Sequence, residues 1–313
     1  MARILISGSL AYDRIMNFNG RFEEHLFPEM KHALSVSFLV EDLKESYGGT
    51  AGNIAYNTTL LEEKVAILAS AGNDFEPYQK WLNQNNIDTT SIQIDIGERT
   101  AFATILTDQK NNQIAAFYPG AMRKPSHALG HSLETKLAII GAGNVEDMQN
   151  LPSLFRASKT PFIFDPAQQI PSLSADDLKN GIEGSRALIS NDYELALIMN
   201  KTGWSEDELL GHTEMLVTTF GGEGSHIRTH KEQIKIPAAQ PKNINDPTGA
   251  GDAYRAGFIV GLMNNWPLEA AGKLGATVAC YTVEAYGTQT HWFSKEQVHE
   301  RYKENFGEYP PTW

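Results

Sequence analysis

The stretch Asp246-Pro-Thr-Gly-Ala-Gly-Asp252-Ala-Tyr-Arg-Ala-Gly-Phe258 concentrates more usable chemistry than any other part of the chain. A Gly-Ala-Gly turn that opens a helix leaves backbone N–H groups unblocked at the positive end of the helix dipole, which makes an anion site. Asp252 falls in the first helical turn, so its carboxylate stands beside that site. A carboxylate repels a bound phosphate, and mere binding does not explain it. It is explained if Asp252 takes the proton from a hydroxyl that attacks a phosphoryl group. For an isolated Gly-Ala-Gly-Asp the plainer reading, an aspartate that satisfies helix N–H groups, would be the better one.

Three further pieces carry polar groups, two of them on glycine-rich turns. Gly48-Gly49-Thr-Ala-Gly-Asn53 precedes a helical stretch; paired glycines allow close backbone approach, and Asn53 brings a donor and an acceptor. With Asp13, which follows the first apolar run, it offers a polyol-binding set. Asn191-Asp-Tyr-Glu194 and Thr219-Phe-Gly-Gly-Glu-Gly224 follow the fifth and sixth apolar runs, at the edge where α/β proteins bind ligands. Taken singly, each is an ordinary turn or loop. The common nucleotide motifs fail. No Gly-x-x-x-x-Gly-Lys-Ser/Thr occurs, the third glycine of a dinucleotide fingerprint falls on Tyr254, and no His-Arg-Asp with Asp-Phe-Gly set is present. His127 and His131 are four apart, but Gly130 between them and the lack of an adjoining Glu argue against zinc. Cys280, the single cysteine, excludes a disulfide framework and reads as a small core residue.

The elements that must position these residues follow from hydrophobic patterning. Short apolar runs at 3–7, 65–68, 137–140, 161–164, 187–190 and 216–219 are continuous rather than alternating, which suits parallel strands covered on both faces. Helical stretches lie between them at 51–61, 192–201 and 205–212, the last opening on Ser205-Glu-Asp-Glu208 with capping-box spacing. Residues 14–47 and 88–120 break this rhythm. Ser91 to Ile96 alternates strictly, and 100–107 and 113–118 flank a polar turn, the pattern of antiparallel hairpins with one wet face. We read these two regions as a small β lid on one large α/β domain made from the remainder of the 313 residues. Beyond Asn243 the pattern is mostly helical, at 249–265, 267–285 and 294–305.

Composition bounds the partners. Acidic residues number 38 against 26 basic ones, a net charge of −12, which argues against nucleic acid or an anionic membrane as the main partner. A small anion needs only local positive potential and is not excluded. Three apolar residues after Arg3 are too few for a signal peptide, and Ala256–Met263 falls short of the roughly 20 residues of a spanning helix. A cytoplasmic protein is expected.

The four pieces, in this order and spacing, resemble the ribokinase-like (PfkB) family of sugar and nucleoside kinases over essentially the whole chain. The resemblance implies a three-layer α/β/α sandwich with a small β-sheet lid, and phosphoryl transfer from ATP, with Mg²⁺, to an alcohol. It implies that Asp252 is the base, with Gly249, Ala250 and Gly251 as the anion hole. Asn191 and Glu194 would organise Mg²⁺ and its waters around the ATP phosphates. Thr219, Gly221 and Gly224 would lie along the nucleotide, and Asp13, Gly48, Gly49 and Asn53 would hold ribose hydroxyls. Asp246 and Thr248 match positions beside a monovalent cation, K⁺ by expectation.

Within the family the tracts at 8–13, 117–122, 165–169 and 191–194 are most similar to bacterial adenosine kinases and related nucleoside kinases. A nucleoside site needs flat apolar surfaces for the base. Phe102, Phe117 and Met122 are candidates to enclose a purine, with the Gln168 and Gln169 amides at its edge; lid core is the competing reading of the two phenylalanines. The expected acceptor is a purine nucleoside, adenosine first. The alternatives are a sugar kinase acting on ribose or fructose and a non-catalytic nucleoside-binding protein. Arg255 stands where many relatives have an apolar residue, and a solvated helix arginine is its plainer reading. The segment Gly72-Asn-Asp-Phe-Glu-Pro77 ends in proline where the family pattern has glycine. A homodimer through the lid is expected, with Phe38, Leu39 and Val40 as the apolar contact.

Overall fold

The computed structural model describes residues 4–25, 36–110, 112–126 and 135–313. His127, His131 and the part of the expected lid at 26–35 lie outside the described residues. In chain order the first half contains β1 (Ile4–Ser7), β2 (Ala11–Asn17), β3 (Asp42–Gly48), α1 (Thr50–Leu60), β4 (Val65–Gly72), α2 (Glu76–Gln84), β5 (Ile92–Asp95), β6 (Ala101–Thr107), β7 (Gln113–Tyr118), β8 (Leu137–Ile140) and α3 (Val145–Ser158). The second half continues with β9 (Phe162–Phe164), α4 (Ala175–Ile182), β10 (Ala187–Asn191), α5 (Asp192–Thr202), α6 (Glu206–His212), β11 (Met215–Thr219), β12 (Ser225–Thr229) and β13 (Gln233–Ile236). It ends in α7 (Ala250–Met263), α8 (Leu268–Val283) and α9 (Lys295–Phe306).

Nine strands form one sheet in the order β13-β12-β11-β10-β9-β8-β1-β4-β5. Its centre is parallel, and β12 and β13 close one edge as an antiparallel pair. The continuous apolar runs divide by parity. Ile4, Ile6, Val65, Ile67, Ile139 and Val217 pack with α1, α2, α7 and α8 on one face. Leu5, Leu68, Ala138, Phe164, Leu188 and Leu216 pack with α3 to α6 on the other. Each of the central parallel strands therefore has no wet face and no polar alternation. The result is a three-layer α/β/α sandwich.

The order reverses between β1 and β8, so a crevice opens at their carboxyl ends, where open α/β sheets bind ligands. There the start of α1 is tied down. Thr50 Oγ1 donates to the Ala142 carbonyl at 2.8 Å, and Thr50 N–H donates to Ser9 Oγ at 3.1 Å.

A second sheet, β3-β2-β6-β7, stands over that edge. The β2/β3 and β6/β7 pairs are antiparallel hairpin-like units, and β2 joins β6 in parallel. One expectation for this region fails. Ile92–Asp95 pairs in parallel with β4 and is the outermost strand of the large sheet, not part of the lid. Its alternation records an edge strand with one exposed face, which mimics a hairpin in sequence. The capping box at α6 is present: Ser205 Oγ accepts Glu208 N–H and Glu208 Oε2 accepts Ser205 N–H. Pro77 enters the first turn of α2, where its missing N–H costs nothing, and Asp74 fixes the adjoining strand by accepting the Thr100 N–H at 2.8 Å.

Candidate active site

A cavity of about 620 Å³ lies between the carboxyl edge of the large sheet and the small sheet. It brings together residues from six separate parts of the sequence: Asp13, Gly49 and Asn53, Phe117, Gln168, Asn191 and Glu194, and Gly249, Gly251 and Asp252. Thr219, Gly221 and Thr248 line it as well. A second cavity of about 290 Å³ shares Thr219, Gly221 and Gly251 with the first and continues over Gly224, Ala238, Ile244, Tyr254, Ala279 and Cys280. Its walls are mostly apolar, and Cys280 is thus both buried and part of that wall.

The floor of the large cavity is the start of α7. Gly249 is its N-cap in a left-handed conformation, and Ala250, Gly251 and Asp252 make the first turn. First-turn N–H groups have no intrahelical acceptor, so they are available to an anion. Asp252 is not a helix cap. Its Oδ2 accepts from Asn53 Nδ2 at 2.8 Å, and among the described residues Oδ1 has no hydrogen bond. Burial pushes the Asp252 carboxyl up to about 6; Arg255 and the Asn53 amide oppose the rise, and the charges of Asp165 and Asp13 add to it. Asp13 is also raised to about 6, by burial and then by Asp246.

Asn53 is itself held. Gln289 Nε2 donates to Asn53 Oδ1 at 3.0 Å and to the Tyr78 hydroxyl at 2.6 Å, while Gln289 Oε1 accepts from Trp81 Nε1 at 3.2 Å. With its oxygen occupied, Asn53 can present only its NH₂ group to Asp252. Gln289 was not among the sequence candidates, because it lies between two threonines in a loop with no motif around it.

Asn191 and Glu194 form a reciprocal capping box at α5: Asn191 Oδ1 accepts Glu194 N–H at 2.7 Å and Glu194 Oε2 accepts Asn191 N–H at 2.8 Å. The i, i+3 spacing thus has a helix-capping cause, yet both side chains still border the cavity. Asp246 binds two backbone N–H groups, from Thr248 at 2.9 Å and Gly287 at 3.1 Å.

The small sheet sorts the remaining candidates by strand parity. Asp13, Ala103 and Phe117 are consecutive cross-strand partners on β2, β6 and β7, and all three face the cavity. Phe117 is 53% exposed there. Gly48 ends β3 opposite Ala11, beside the Asp13 carboxylate. Phe102, one residue out of phase, belongs to the opposite face, where Arg14 lies over its ring at 4.3 Å and Tyr118 packs against it. The expectation that Phe102 encloses a base is therefore corrected. Met122 and Gln169 also fall outside the cavity lining; Gln169 Nε2 donates to the Gly143 carbonyl at 2.7 Å, so its amide is already engaged.

Arg255 overturns its sequence reading most clearly. It is 6% exposed, lines the cavity and forms a buried ion pair with Asp165, Nε to Oδ2 and Nη2 to Oδ1. Burial works against its charge, but Asp165, Asp252 and Glu194 outweigh that and hold its proton tightly. A carboxylate able to take a hydroxyl proton, set beside a helix terminus able to take phosphate, is what a small-molecule kinase requires.

Comparison with known proteins agrees. The sequence pattern of the pfkB family carbohydrate kinases matches residues 4–295. A nucleoside kinase of Methanocaldococcus jannaschii is 32% identical over 304 residues, 96% of this chain and 97% of that protein. The structure of Burkholderia thailandensis nucleoside kinase in complex with inosine superposes with a TM-score of 0.89 at 35% identity, covering 99% of this chain and 100% of that one. The same enzyme in complex with ADP-inosine superposes at 0.87. The chain belongs to the pfkB family of carbohydrate kinases, and it is an ATP-dependent phosphotransferase.

Proposed function

We propose that the chain transfers the γ-phosphoryl group of ATP to the 5′-hydroxyl of a purine nucleoside, with adenosine the first acceptor to test. The observation that carries this reading is the Asp13–Ala103–Phe117 row. Two strand spacings, about 10 Å, separate a ribose-binding carboxylate from an open aromatic ring on the same cavity face. A ribose joined to a base fills that span, and a free pentose does not. The inosine-bound relative supports the same choice of acceptor class.

Ribose hydroxyls dock on Asp13 and Asn53, and the 5′-hydroxyl meets Asp252. As its oxygen attacks the γ-phosphorus, Asp252 takes the proton, the bond to the bridging oxygen breaks, and ADP leaves. N–H groups of the Gly249-Ala250-Gly251 turn accept the charge that develops on the transferred group. The small sheet excludes water and so limits ATP hydrolysis. The ADP moiety is assigned to the continuation past Thr219, Gly221 and Gly224, with its base against the apolar wall.

The residues fit Mg²⁺ bound jointly with phosphates and water rather than in a protein cage. Glu194 has one oxygen outside its capping bond, and among the described residues no group of three His, Cys, Asp or Glu could hold a metal alone. When bound, the ion supplies charge neutralisation on the β- and γ-phosphates. A monovalent cation is assigned, also as a proposal, to the Asp246 and Thr248 loop. No helix among the described residues is long and apolar enough to cross a membrane.

A second copy of the chain is placed on the small sheet's face away from the cavity. There Leu43, Met16, Leu106 and Ile114 lie in one cross-strand row, with Leu43 61% and Ile114 44% exposed. Of the residues expected in that contact, Leu39 is exposed, but Phe38 packs on Phe18 and Phe22 of its own chain.

An ADP-release assay over adenosine, inosine, guanosine, cytidine, ribose and fructose tests the function directly; ADP formed with ribose in preference to every nucleoside would overturn it. Phe117→Ala should raise the nucleoside KM about tenfold, a loss of ~1.4 kcal/mol, while Phe102→Ala leaves it near the parent value. Equal effects would remove the parity argument.

The acid limb of kcat/KM should centre near pH 6, since Asp252 must be ionised to act as a base and its pKa is about 6. Asp13 titrates in the same range and must also accept from the ribose, so the limb should be steeper than one proton. Asp13→Asn should return it to a single-proton slope. An activity flat from pH 5 to 7 (about one unit either side of the expected midpoint) would exclude Asp252 as the base.

A further inference from the structure

Arg255 is the one cation among the described residues that line the large cavity, against Asp13, Asp192, Glu194 and Asp252. A polyphosphate entering that surround meets like charge on several sides. The guanidinium is placed by helix geometry. Side chains on a helix lean toward its N-terminus, so residue 255 covers residue 251, one turn back. A Cβ on Gly251 would lie 2.7 Å from Arg255 Nη1, so glycine at 251 leaves the room that the guanidinium occupies. Asp165, the residue that follows β9, grips the Nε–Nη2 edge. Nη1 has no acceptor among the described residues, and it lies against the anion-binding turn.

We propose that Arg255 is a further catalytic residue of this site, a resident cation whose Nη1 donates to the transferring phosphoryl group while Asp165 holds the guanidinium from the other edge. This rests on the phosphotransfer reading above. As the 5′-oxygen bonds to phosphorus and the bond to ADP breaks, negative charge spreads over the three remaining oxygens; the proton goes to Asp252, and Arg255 stays charged throughout. A buried guanidinium kept only to balance Asp165 would gain nothing from an open edge on the cavity. Apolar residues of similar volume often replace such pairs without loss of stability.

The test separates those two roles. Arg255→Gln, and Asp165→Asn combined with Arg255→Gln, are assayed at saturating MgATP and adenosine, with thermal unfolding in parallel. Arg255→Gln should lower kcat by roughly 10²–10³-fold, the effect of losing one transition-state donor, with acceptor KM within about threefold of the parent. The combined variant should regain the parent's Tm, because no buried charge is stranded, yet remain slow. Inhibition by ADP with aluminium fluoride, a planar mimic of the transferring group, should weaken in both variants. If the amide pair does not fold, Asp165→Leu with Arg255→Met is the paired variant. Parental kcat in the paired variant, or undiminished binding of the mimic, overturns the proposal and leaves Arg255 as a counter-ion. A parent protein that releases no ADP with any nucleoside overturns instead the functional reading beneath it.

Discussion

Asp252→Asn should abolish most turnover while leaving a well-folded protein that still binds its acceptor. Loss of a positioned base lowers kcat by roughly 10²–10⁴-fold, and the adenosine KM should stay near the parent value because Asp13 and Asn53 are untouched. The amide oxygen at 252 can still accept from Asn53 Nδ2, so the local hydrogen bond survives. Stability should move in the opposite direction from activity. Burial raises the Asp252 carboxyl from 3.8 to about 6, so the folded state favours the protonated form more than the unfolded state does. That contribution is complete below the unfolded value and is lost as pH rises through about 6. At pH 8 the parent carries the full penalty of a buried carboxylate and the asparagine variant does not. The variant's Tm should therefore equal or exceed the parent's at pH 8, with the difference vanishing toward pH 4. Parental turnover would end the assignment of Asp252 as base, and a lower Tm at pH 8 would contradict the burial argument.

Gly49→Ala should be the most damaging single methyl group in the site. The residue has φ +87, and a Cβ there would lie 2.5 Å from the Ser9 carbonyl oxygen and 2.7 Å from the Ala11 nitrogen. Neither atom can retreat cheaply: the Ser9 carbonyl already accepts the Ala51 N–H at 3.0 Å, and Ala11 begins β2. Backbone strain of about 1–3 kcal/mol and an overpacking cost of about 1–3 kcal/mol add to roughly 2–6 kcal/mol. Calorimetry should show Tm lower by on the order of 5–15 °C, with a raised nucleoside KM because the turn carries Asn53 toward the ribose. A Tm within about 2 °C of the parent would mean that the turn can relax and that its geometry is not what fixes the crevice.

The large sheet was legible because a parallel strand buried on both faces must be apolar at every position, and six such runs sit where strands form. The antiparallel edge, β12 and β13, was not: Ser-His-Ile-Arg-Thr has one wet face and little contrast with a loop. The same cause, read in reverse, put Ile92–Asp95 in the wrong sheet. At the site, motif residues were legible because glycine spacing and an isolated carboxylate constrain few chemistries. Phe102 and Phe117 were not separable, since only the register against Asp13 tells which ring faces inward. Arg255 could have been read better. Tyr254, Ala256, Gly257 and Phe258 around it leave α7 no polar stripe at that turn, so a solvated arginine had nowhere to lie. Its partner, 90 residues earlier, carries no local signal. Gln289 and Asn53 are 236 residues apart, beyond any spacing rule.

That last separation has a consequence for biosynthesis. Chains emerge from the ribosome N-terminus first, and early segments begin to fold before later ones exist. Asn53 and Asp252 are both made before Gln289, so a nascent chain can hold the base and its amide partner without the side chain that turns the amide the right way. Until Gln289 arrives and docks under Trp81, Asn53 is free to rotate its oxygen toward Asp252 and repel it. The orientation of the amide that meets Asp252 is thus fixed by a residue made after both members of the pair it orders.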